Sequence, residues 1–231
     1  MSDIHRRIKD VQSRIQIATL NANRPENAVQ LLAVSKTKPA TAVAAAYSAG
    51  LRNFGENYLQ EATEKIATLS HLDIVWHFIG PIQSNKTRAI AQNFAWCHSV
   101  DRLKVARRLS EQRPPELPPL NICLQLNIDD EASKSGVNLD QLPQLARDVA
   151  QLPGVRLRGL MCIPTPAAEL AQQRRPFRRV AEALATLQAD GLPLDTLSMG
   201  MSGDLEAAIL EGATVVRVGT DIFGARTDPS H

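Results

Sequence analysis

The stretch LLAVSKTKP, residues 31–39, decides the fold that this sequence predicts. Its first part, residues 31–34, is entirely apolar and is typical of a buried β-strand. Pro39 suits the first turn of an α-helix, because proline lacks the N–H group that this turn leaves unpaired. A strand therefore passes into a helix within a few residues, as in a β/α unit. Lys36 lies at the junction, where the strand reaches solvent.

Lys36 is the candidate for covalent chemistry. Partial burial disfavours the charged form of a lysine, so its amine is more easily neutral and nucleophilic. Such an amine can form a Schiff base with a carbonyl compound. The alternative is a solvated lysine that ends a strand, which is the commoner state of lysines. Lys38, Lys86 and Lys134 are rival amines, but they lie in predicted loops or helix starts with no apolar strand directly before them.

Strand-like and helix-like segments alternate along the rest of the chain. Apolar or β-rich runs occur near residues 30–36, 51–55, 74–79, 95–100, 120–128, 155–163, 194–199 and 214–219. Such strands, each followed by a helix, predict an α/β fold, a closed parallel TIM (β/α)8 barrel, with a doubly wound open sheet as the alternative. We expect residues 1–231 to form a single domain. Residues 1–24 should add an amphipathic helix packed on the barrel, since residues 4, 8, 11 and 15 share an apolar face.

The ends of several helices are also predicted. Asn57 with Gln60, and Asn138 with Gln141, have the spacing of a capping box, and Asp101 is a further candidate cap. A proline at position 176 predicts a break in the helix of residues 167–190.

Composition limits the classes of function. With 231 residues, 44% of them hydrophobic, the chain is long enough for one sizeable core. The net charge of +2 gives no argument for nucleic acid or an anionic membrane as partner, so a small ligand is expected. The three cysteines lie far apart without zinc-like spacing, so we expect reduced core residues and no metal site. No signal-like or membrane-spanning apolar segment is present, which favours the cytoplasm.

The ends of the last two predicted strands carry a candidate phosphate site. Ser202 and Gly203 follow the seventh strand, and Gly219 and Thr220 follow the eighth. Hydroxyls and backbone N–H groups at these positions suit a phosphate, although each pair alone is also typical of a turn or a cap. Strand eight adjoins strand one in a closed barrel, so this site should lie beside Lys36. An amine next to a phosphate site fits a ligand with both an aldehyde and a phosphate, such as pyridoxal 5'-phosphate.

Two buried polar residues have open roles at this stage. Arg217 is flanked by valines on a predicted buried strand, so it needs an anionic partner, and it can neutralise a phosphate or face a ring nitrogen. His77 lies between Trp76 and Phe78, and it is either a hydrogen-bonded core histidine or a residue that faces the ligand.

Segments spread over nearly the whole chain carry a resemblance to a known family. They are AVSKTK (33–38), FGENY (54–58), WHFIG (76–80), QSNK (83–86), SKSG (133–136), GLM (159–161), SMGMS (198–202), VRVGT (216–220) and IFG (222–224). In these segments the sequence resembles the YggS/PROSC-type pyridoxal phosphate homeostasis proteins. The resemblance implies a barrel like the N-terminal domain of alanine racemase, with pyridoxal 5'-phosphate held as an internal aldimine on Lys36.

The resemblance also implies the other site residues. The expected cofactor-binding residues are Lys36, Asn57, His77, Met199, Ser202, Arg217, Gly219 and Thr220. Ser202, Gly219 and Thr220 would hold the phosphate side together with Arg217, unless Arg217 lies nearer the pyridine ring. Asn57 and His77 would line the pocket.

The expected function is intracellular balance of pyridoxal 5'-phosphate with little or no catalysis. Related racemases take a second acid or base from a second domain, and only about ten residues follow the last predicted strand here. One face of the cofactor is therefore expected to be open to water and to amino acids. Apo-enzymes that accept the cofactor are further candidate partners, and the chain is expected to be a monomer or a weak dimer. The alternatives are a slow amino-acid racemase that uses the same cofactor and a cofactor-free Schiff-base aldolase.

Overall fold

The computed structural model describes residues 2–225. The strands are β1 Gln30–Val34, β2 Asn53–Glu56, β3 Val75–Phe78, β4 Trp96–Val100, β5 Leu120–Leu126, β6 Val155–Cys162, β7 Thr196–Ser198 and β8 Val215–Val218. The helices are α1 Asp3–Asn21, α2 Ala40–Ser48, α3 Leu59–Thr68, α4 Thr87–Asn93, α5 Leu103–Gln112, α6 Leu142–Ala150, α7 Leu170–Ala189, α8 Leu205–Leu210 and α9 Thr220–Phe223. A 3₁₀ turn at Ser84–Lys86 precedes α4.

The strands form a closed parallel barrel in the order β1 to β8, which confirms the predicted architecture over the open sheet. Closure comes from β1 and β8, where Leu32 pairs with Arg217 and Ala33 with Val218. Because all strands are parallel, their carboxyl ends meet at one mouth, and the loop after β1 lies beside the loop after β8.

The main apolar core lies between the strands and the surrounding helices. Phe54 and Val216 of the strands pack in it with Ile90 and Phe177 of the helices. Burying such a side chain contributes about 1.5–3 kcal/mol. A smaller cluster that includes Leu32 and Val215 lies apart. Since neighbouring strand residues face opposite ways, Val215 and Arg217 face the barrel interior while Val216 faces the helices.

Helix α1 packs on the outside of the barrel, as the sequence predicts. Ile8, Val11 and Ile15 are buried along one face, and the helix contacts α8 and α9. These contacts place α1 behind the loops that follow β7 and β8. In residues 2–225, no helix has the length and apolar content that crossing a bilayer requires.

The predicted helix ends were wrong in detail. Helices α3, α5 and α6 begin after Tyr58, Arg102 and Gln141, and none of these caps makes a side-chain hydrogen bond. The predicted break at Pro176 is also absent, because α7 continues through it. Tertiary packing overrides the local signals, since α7 buries a long apolar face on the barrel that outweighs one missing N–H bond.

Candidate functional site

Lys36 lies directly after β1 in a turn formed by residues 35–38, which we call the Lys36 turn. The backbone N–H of Lys38 donates to the Ser35 carbonyl at 3.1 Å and closes this turn. Lys36 itself is half-buried, and its amine makes no hydrogen bond or ion pair with any residue in the range 2–225. Its amine is therefore available to a ligand.

A recess of about 90 Å³ joins Lys36 to the end of β8. Gly219, Thr220 and Gly224 line this recess together with the Lys36 turn. A Cβ atom on Gly219 would lie 3.1 Å from the Val34 carbonyl oxygen, so glycine allows the two strand ends to approach closely. The predicted neighbourhood of the amine and the Gly219–Thr220 loop is therefore present.

The hydroxyls predicted to bind phosphate are not used elsewhere. Within residues 2–225, neither Ser202 nor Thr220 makes a side-chain hydrogen bond, and α8 begins after Asp204 rather than Ser202. The first N–H groups of α9, in the same loop as Thr220, have no intrahelical acceptor. Hydroxyls and amides of this kind suit a phosphate.

Arg14 of α1 links the two loops that carry these groups. Its guanidinium donates to the Ser202 carbonyl at 2.9 Å, to Asp221 at 2.7 Å and to Glu206 at 2.7 and 3.0 Å. The hydrogen bonds and charges of both carboxylates raise the pKa of Arg14, with Glu206 the largest contributor. One side chain of α1 therefore bonds to groups in or beside the loops after both β7 and β8.

Two of the rival lysines are engaged in other contacts. Lys134 donates to Asp129 at 2.8 Å and to Thr165 at 2.6 Å, and the hydrogen bond to Asp129 raises its pKa. Lys38 donates to the Ala225 carbonyl at 2.9 Å. A raised pKa keeps the Lys134 amine protonated and makes it a poor nucleophile.

Asn57 lies at the end of β2 and lines a second recess, of about 330 Å³, with Gln125, Asn127 and Lys134. Its side-chain Oδ1 is buried and has no partner among residues 2–225. A buried acceptor without a partner is costly, so this atom is suited to a ligand donor. The capping role predicted for Asn57 is not seen, since α3 begins after Tyr58.

Arg217 is buried inside the barrel without a carboxylate partner in residues 2–225. Its guanidinium donates to the Ser198 hydroxyl at 2.8 Å and to the Cys162 carbonyl at 2.9 Å, and it is 3% exposed. Burial lowers its pKa. A buried cation with only neutral acceptors is suited to an anionic or electron-rich ligand atom.

A line of hydrogen bonds runs from Arg217 through the barrel interior. The Ser198 hydroxyl lies 2.7 Å from His98 Nδ1, His98 Nε2 lies 2.8 Å from His77 Nδ1, and His77 Nε2 lies 3.0 Å from Asn53 Oδ1. Because Asn53 Oδ1 only accepts, His77 Nε2 donates to it, His77 Nδ1 accepts from His98 Nε2, and His98 Nδ1 accepts from the Ser198 hydroxyl, which also accepts from Arg217. Both imidazoles therefore carry their proton on Nε2. We call these four residues the interior relay: Ser198, His98, His77 and Asn53.

His77 was predicted to line the pocket, and the structure corrects this. Its ring is 1% exposed, both nitrogens are bonded inside the barrel, and burial lowers its pKa to about 3. Burial is also the main cause that lowers the pKa of His98, followed by the charges of His77 and Arg217. His77 is thus the hydrogen-bonded core histidine of the alternative interpretation, and it reaches the mouth only through Arg217.

Met199 also differs from the expectation. It is fully buried in the apolar core between strands and helices, so its side chain faces away from the mouth. The adjacent Gly200 explains the tight loop after β7, because it has φ +98° and its added Cβ would lie 2.6 Å from the Ala208 Cβ.

Sequence reasoning missed a buried cluster of charges next to the Lys36 turn. Lys65 of α3 contacts Glu56 at 2.8 Å and Glu61 at 2.6 Å, and it is 5% exposed. The available signal was a lysine on the apolar face of a predicted helix, between Ala62 and Leu69. We call Lys65, Glu56 and Glu61 the carboxylate clamp.

Known proteins resemble this chain over nearly its whole length. The family model described as "Alanine racemase, N-terminal domain" matches residues 11–227. A "Pyridoxal phosphate homeostasis protein" of Pseudomonas aeruginosa is 63% identical and aligns over 98% of this chain and 97% of its own. A protein of the same name from Escherichia coli K12 is 52% identical over 98% of each chain.

Two solved structures have the same fold as this chain. PipY of Synechococcus elongatus PCC7942, with PLP bound, has a TM-score of 0.81 and 40% identity, covering 93% of this chain and 100% of its own. Alanine racemase of Corynebacterium glutamicum has a TM-score of 0.68 at 17% identity, covering 96% of this chain and 62% of its own, and shows a shared fold alone.

The closed barrel and the family model together define the class as barrels of the alanine racemase N-terminal type. Such barrels serve several kinds of protein, so the class alone does not fix a function. Within this class, the chain belongs to the pyridoxal phosphate homeostasis protein family, which confirms the resemblance seen in the sequence.

Proposed function

We propose that this protein binds pyridoxal 5'-phosphate as a Schiff base on Lys36 and acts in the intracellular balance of that cofactor, in the cytoplasm and without significant catalysis. The observation that carries the proposal is the half-buried, unpartnered Lys36 beside the Gly219–Thr220 recess. The family supports it, because the relatives bear the name of pyridoxal phosphate homeostasis proteins and PipY was solved with PLP bound.

The residues present fit this cofactor. Its phosphate needs donors without other partners, and Ser202, Gly219 and Thr220 supply hydroxyls and amides of that kind. We assign the ring side to Arg217, because its guanidinium lies inside the barrel and does not line the Gly219–Thr220 recess. Asn57 lines the larger recess rather than the one beside Lys36, and its assignment to the cofactor rests on the family resemblance and on its orphan Oδ1.

The chemistry of attachment is simple. Lys36 would supply the amine for a Schiff base with the aldehyde of the cofactor, with the aldehyde oxygen lost as water. Once bound, pyridoxal 5'-phosphate acts as an electron sink for reactions at the α-carbon of amino acids. The chain itself supplies the amine, the phosphate donors and the buried cation of Arg217.

The absence of catalysis is part of the proposal, and the surroundings of Tyr47 support it. Racemisation needs an acid and a base on opposite faces of the substrate. Tyr47 lies near the end of α2, stacked under Arg52 at 3.8 Å, and its hydroxyl accepts from the Asp73 N–H, so it belongs to the end of the barrel away from Lys36. With Tyr47 placed away from Lys36, we propose a site that holds and exchanges the cofactor.

A spectrum and a label test the attachment. Freshly purified protein should absorb in the visible, and borohydride followed by peptide mapping should leave a pyridoxyl group on Lys36. Lys36→Ala should remove both signals, whereas Lys104→Ala, at an exposed position on α5, should keep them. A label on another residue, or none, would overturn the assignment.

A panel of D- and L-amino acids tests the absence of catalysis. We expect no turnover by the purified protein, and we expect an added apo-enzyme to gain activity from its bound cofactor. Turnover that Lys36→Ala abolishes would instead establish the alternative, a slow racemase.

A further inference from the structure

We propose that the carboxylate clamp holds the Lys36 turn in the geometry that the covalent bond requires, so that Lys65, Glu56 and Glu61 are positioning residues for Lys36. The inference rests on the proposed function, in which Lys36 carries the cofactor. It assigns a role to a buried ion cluster that does not itself line the recess beside Lys36.

The clamp makes hydrogen bonds to both the side chain and the carbonyl of Ser35, the residue before Lys36. The Ser35 hydroxyl donates to Glu56 Oε1 at 2.7 Å. The Lys65 ammonium donates to the Ser35 carbonyl at 2.8 Å and to the same Glu56 oxygen at 2.8 Å. The side chain and the carbonyl of Ser35 are therefore both fixed by groups of β2 and α3.

The clamp also makes a hydrogen bond to Thr37, the residue after Lys36. The backbone N–H of Thr37 donates to Glu61 Oε1 at 2.6 Å, and the Lys65 ammonium donates to that same oxygen at 2.6 Å. Both neighbours of Lys36 thus connect to one ammonium group. This arrangement leaves the Lys36 side chain free while its backbone is fixed on either side.

The backbone of the turn needs such support. Thr37 has φ +64°, in the left-handed region that β-branched residues strongly disfavour. Backbone strain of this kind costs on the order of 1–3 kcal/mol and persists only where the surroundings enforce it, commonly at ligand sites. Besides the Lys38-to-Ser35 bond that closes the turn, the bond from the Thr37 N–H to Glu61 holds this residue from outside the turn.

The burial of the Lys65–Glu56 ion pair favours a role in positioning the Lys36 turn over a role in stability alone. The side chains of Lys65 and Glu56 are 6% and 0% exposed, and Glu56 Oε2 has no partner among residues 2–225. Burial is the main cause that raises the pKa of Glu56. A buried ion pair is often no more stabilising than apolar residues of the same volume, so its use here is better explained by the directed bonds it makes to the turn.

Glu61 offers the cleanest test, because it is the most exposed member of the clamp and its loss should leave the fold intact. Glu61→Ala removes the acceptor of the Thr37 N–H, and Glu61→Gln keeps a side-chain oxygen in place. Glu64→Ala, exposed on the same helix, is the matched control. Amide hydrogen exchange over residues 35–38 is measured on cofactor-free protein, and pyridoxal 5'-phosphate affinity is measured by visible absorbance.

We expect Glu61→Ala to raise the exchange rate of the Thr37 amide and to weaken cofactor affinity, each by roughly tenfold. Glu61→Gln should recover most of both, and Glu64→Ala should match the wild type. Wild-type affinity in Glu61→Ala, or no recovery in Glu61→Gln, would overturn the clamp.

The outcome separates the two proposals. If Glu61→Ala keeps the wild-type affinity and borohydride labels Lys36 in both proteins, the clamp fails and the function stands. If the wild type carries no label on Lys36, the proposed function fails, and the exchange measurement still decides whether Glu61 holds the turn.

Discussion

The buried cation Arg217 connects the mouth of the barrel to its interior. Its bonds go to a carbonyl and a hydroxyl, and that hydroxyl starts the interior relay. With Asn53 Oδ1 as the last acceptor of the relay, the Ser198 hydroxyl gives its proton to His98 and turns its lone pairs toward the arginine. The neutral histidines therefore orient a cation without adding another charge next to it.

Ser198→Ala tests this residue-level link. The change leaves one Arg217 N–H and His98 Nδ1 without partners in a buried site. We expect affinity for pyridoxal 5'-phosphate to fall roughly tenfold, since an unsatisfied buried group costs about 1–3 kcal/mol. Visible absorbance during titration measures it. Ser70→Ala, in an exposed turn, is the control, and equal affinity in both variants would contradict the relay.

At the scale of elements, α1 is more than a cover for the barrel. Its buried face packs against α8 and α9, and Arg14 bonds to the loops after β7 and β8, which carry the proposed phosphate site. An added helix outside a barrel can therefore control the spacing of loops at the mouth. The loops themselves, after β7 and β8, have only short helices behind them.

Arg14→Met tests the link from α1 to these loops. We expect weaker binding of pyridoxal 5'-phosphate and a loss of about 1 kcal/mol in the free energy of unfolding, since the ion pairs are partly solvated. Titration and urea unfolding measure the two effects. Arg6→Met breaks only an exposed pair with Asp3 and should change neither. Unaltered cofactor binding in Arg14→Met would show that α1 does not set the loop spacing.

At the scale of the whole molecule, closure of the barrel buries two neutral histidines at its centre. The unfolded chain would protonate them near their ordinary pKa of 6.5, whereas the folded chain holds the pKa of His77 at about 3 and that of His98 well below 6.5. Between these values the unfolded state binds more protons. The free energy of unfolding therefore falls as the pH drops below about 6.5.

Urea unfolding between about pH 7.5 and pH 5 should show this slope, up to about 1.4 kcal/mol per pH unit for each histidine. Glu56 acts in the opposite sense, because its raised pKa lets the folded state bind the extra proton. His77→Gln can still donate to Asn53 and should reduce the slope by about one proton. An identical slope in that variant would contradict the assigned ionisation of His77.

Local patterns in the sequence determined the order of the barrel. Runs of apolar residues marked each strand, and helical spacing marked the segments between them. Lys36 was chosen as the candidate for covalent chemistry because it lies at the end of a strand. These features depend on neighbours a few residues apart, so a linear chain displays them. The helix caps were placed wrongly, because packing rather than side-chain capping set where those helices begin.

Only the tertiary structure decided how the barrel is filled and how Lys36 is held. His98 and Ser198 are 100 residues apart and meet across the barrel, and Lys65 reaches Ser35 from 30 residues away. A histidine on a strand reads the same in sequence whether it faces a ligand or a neighbouring strand. The physical reason is that burial and hydrogen-bond partners are fixed by strand register and closure, which bring together groups whose separation along the chain carries no signal.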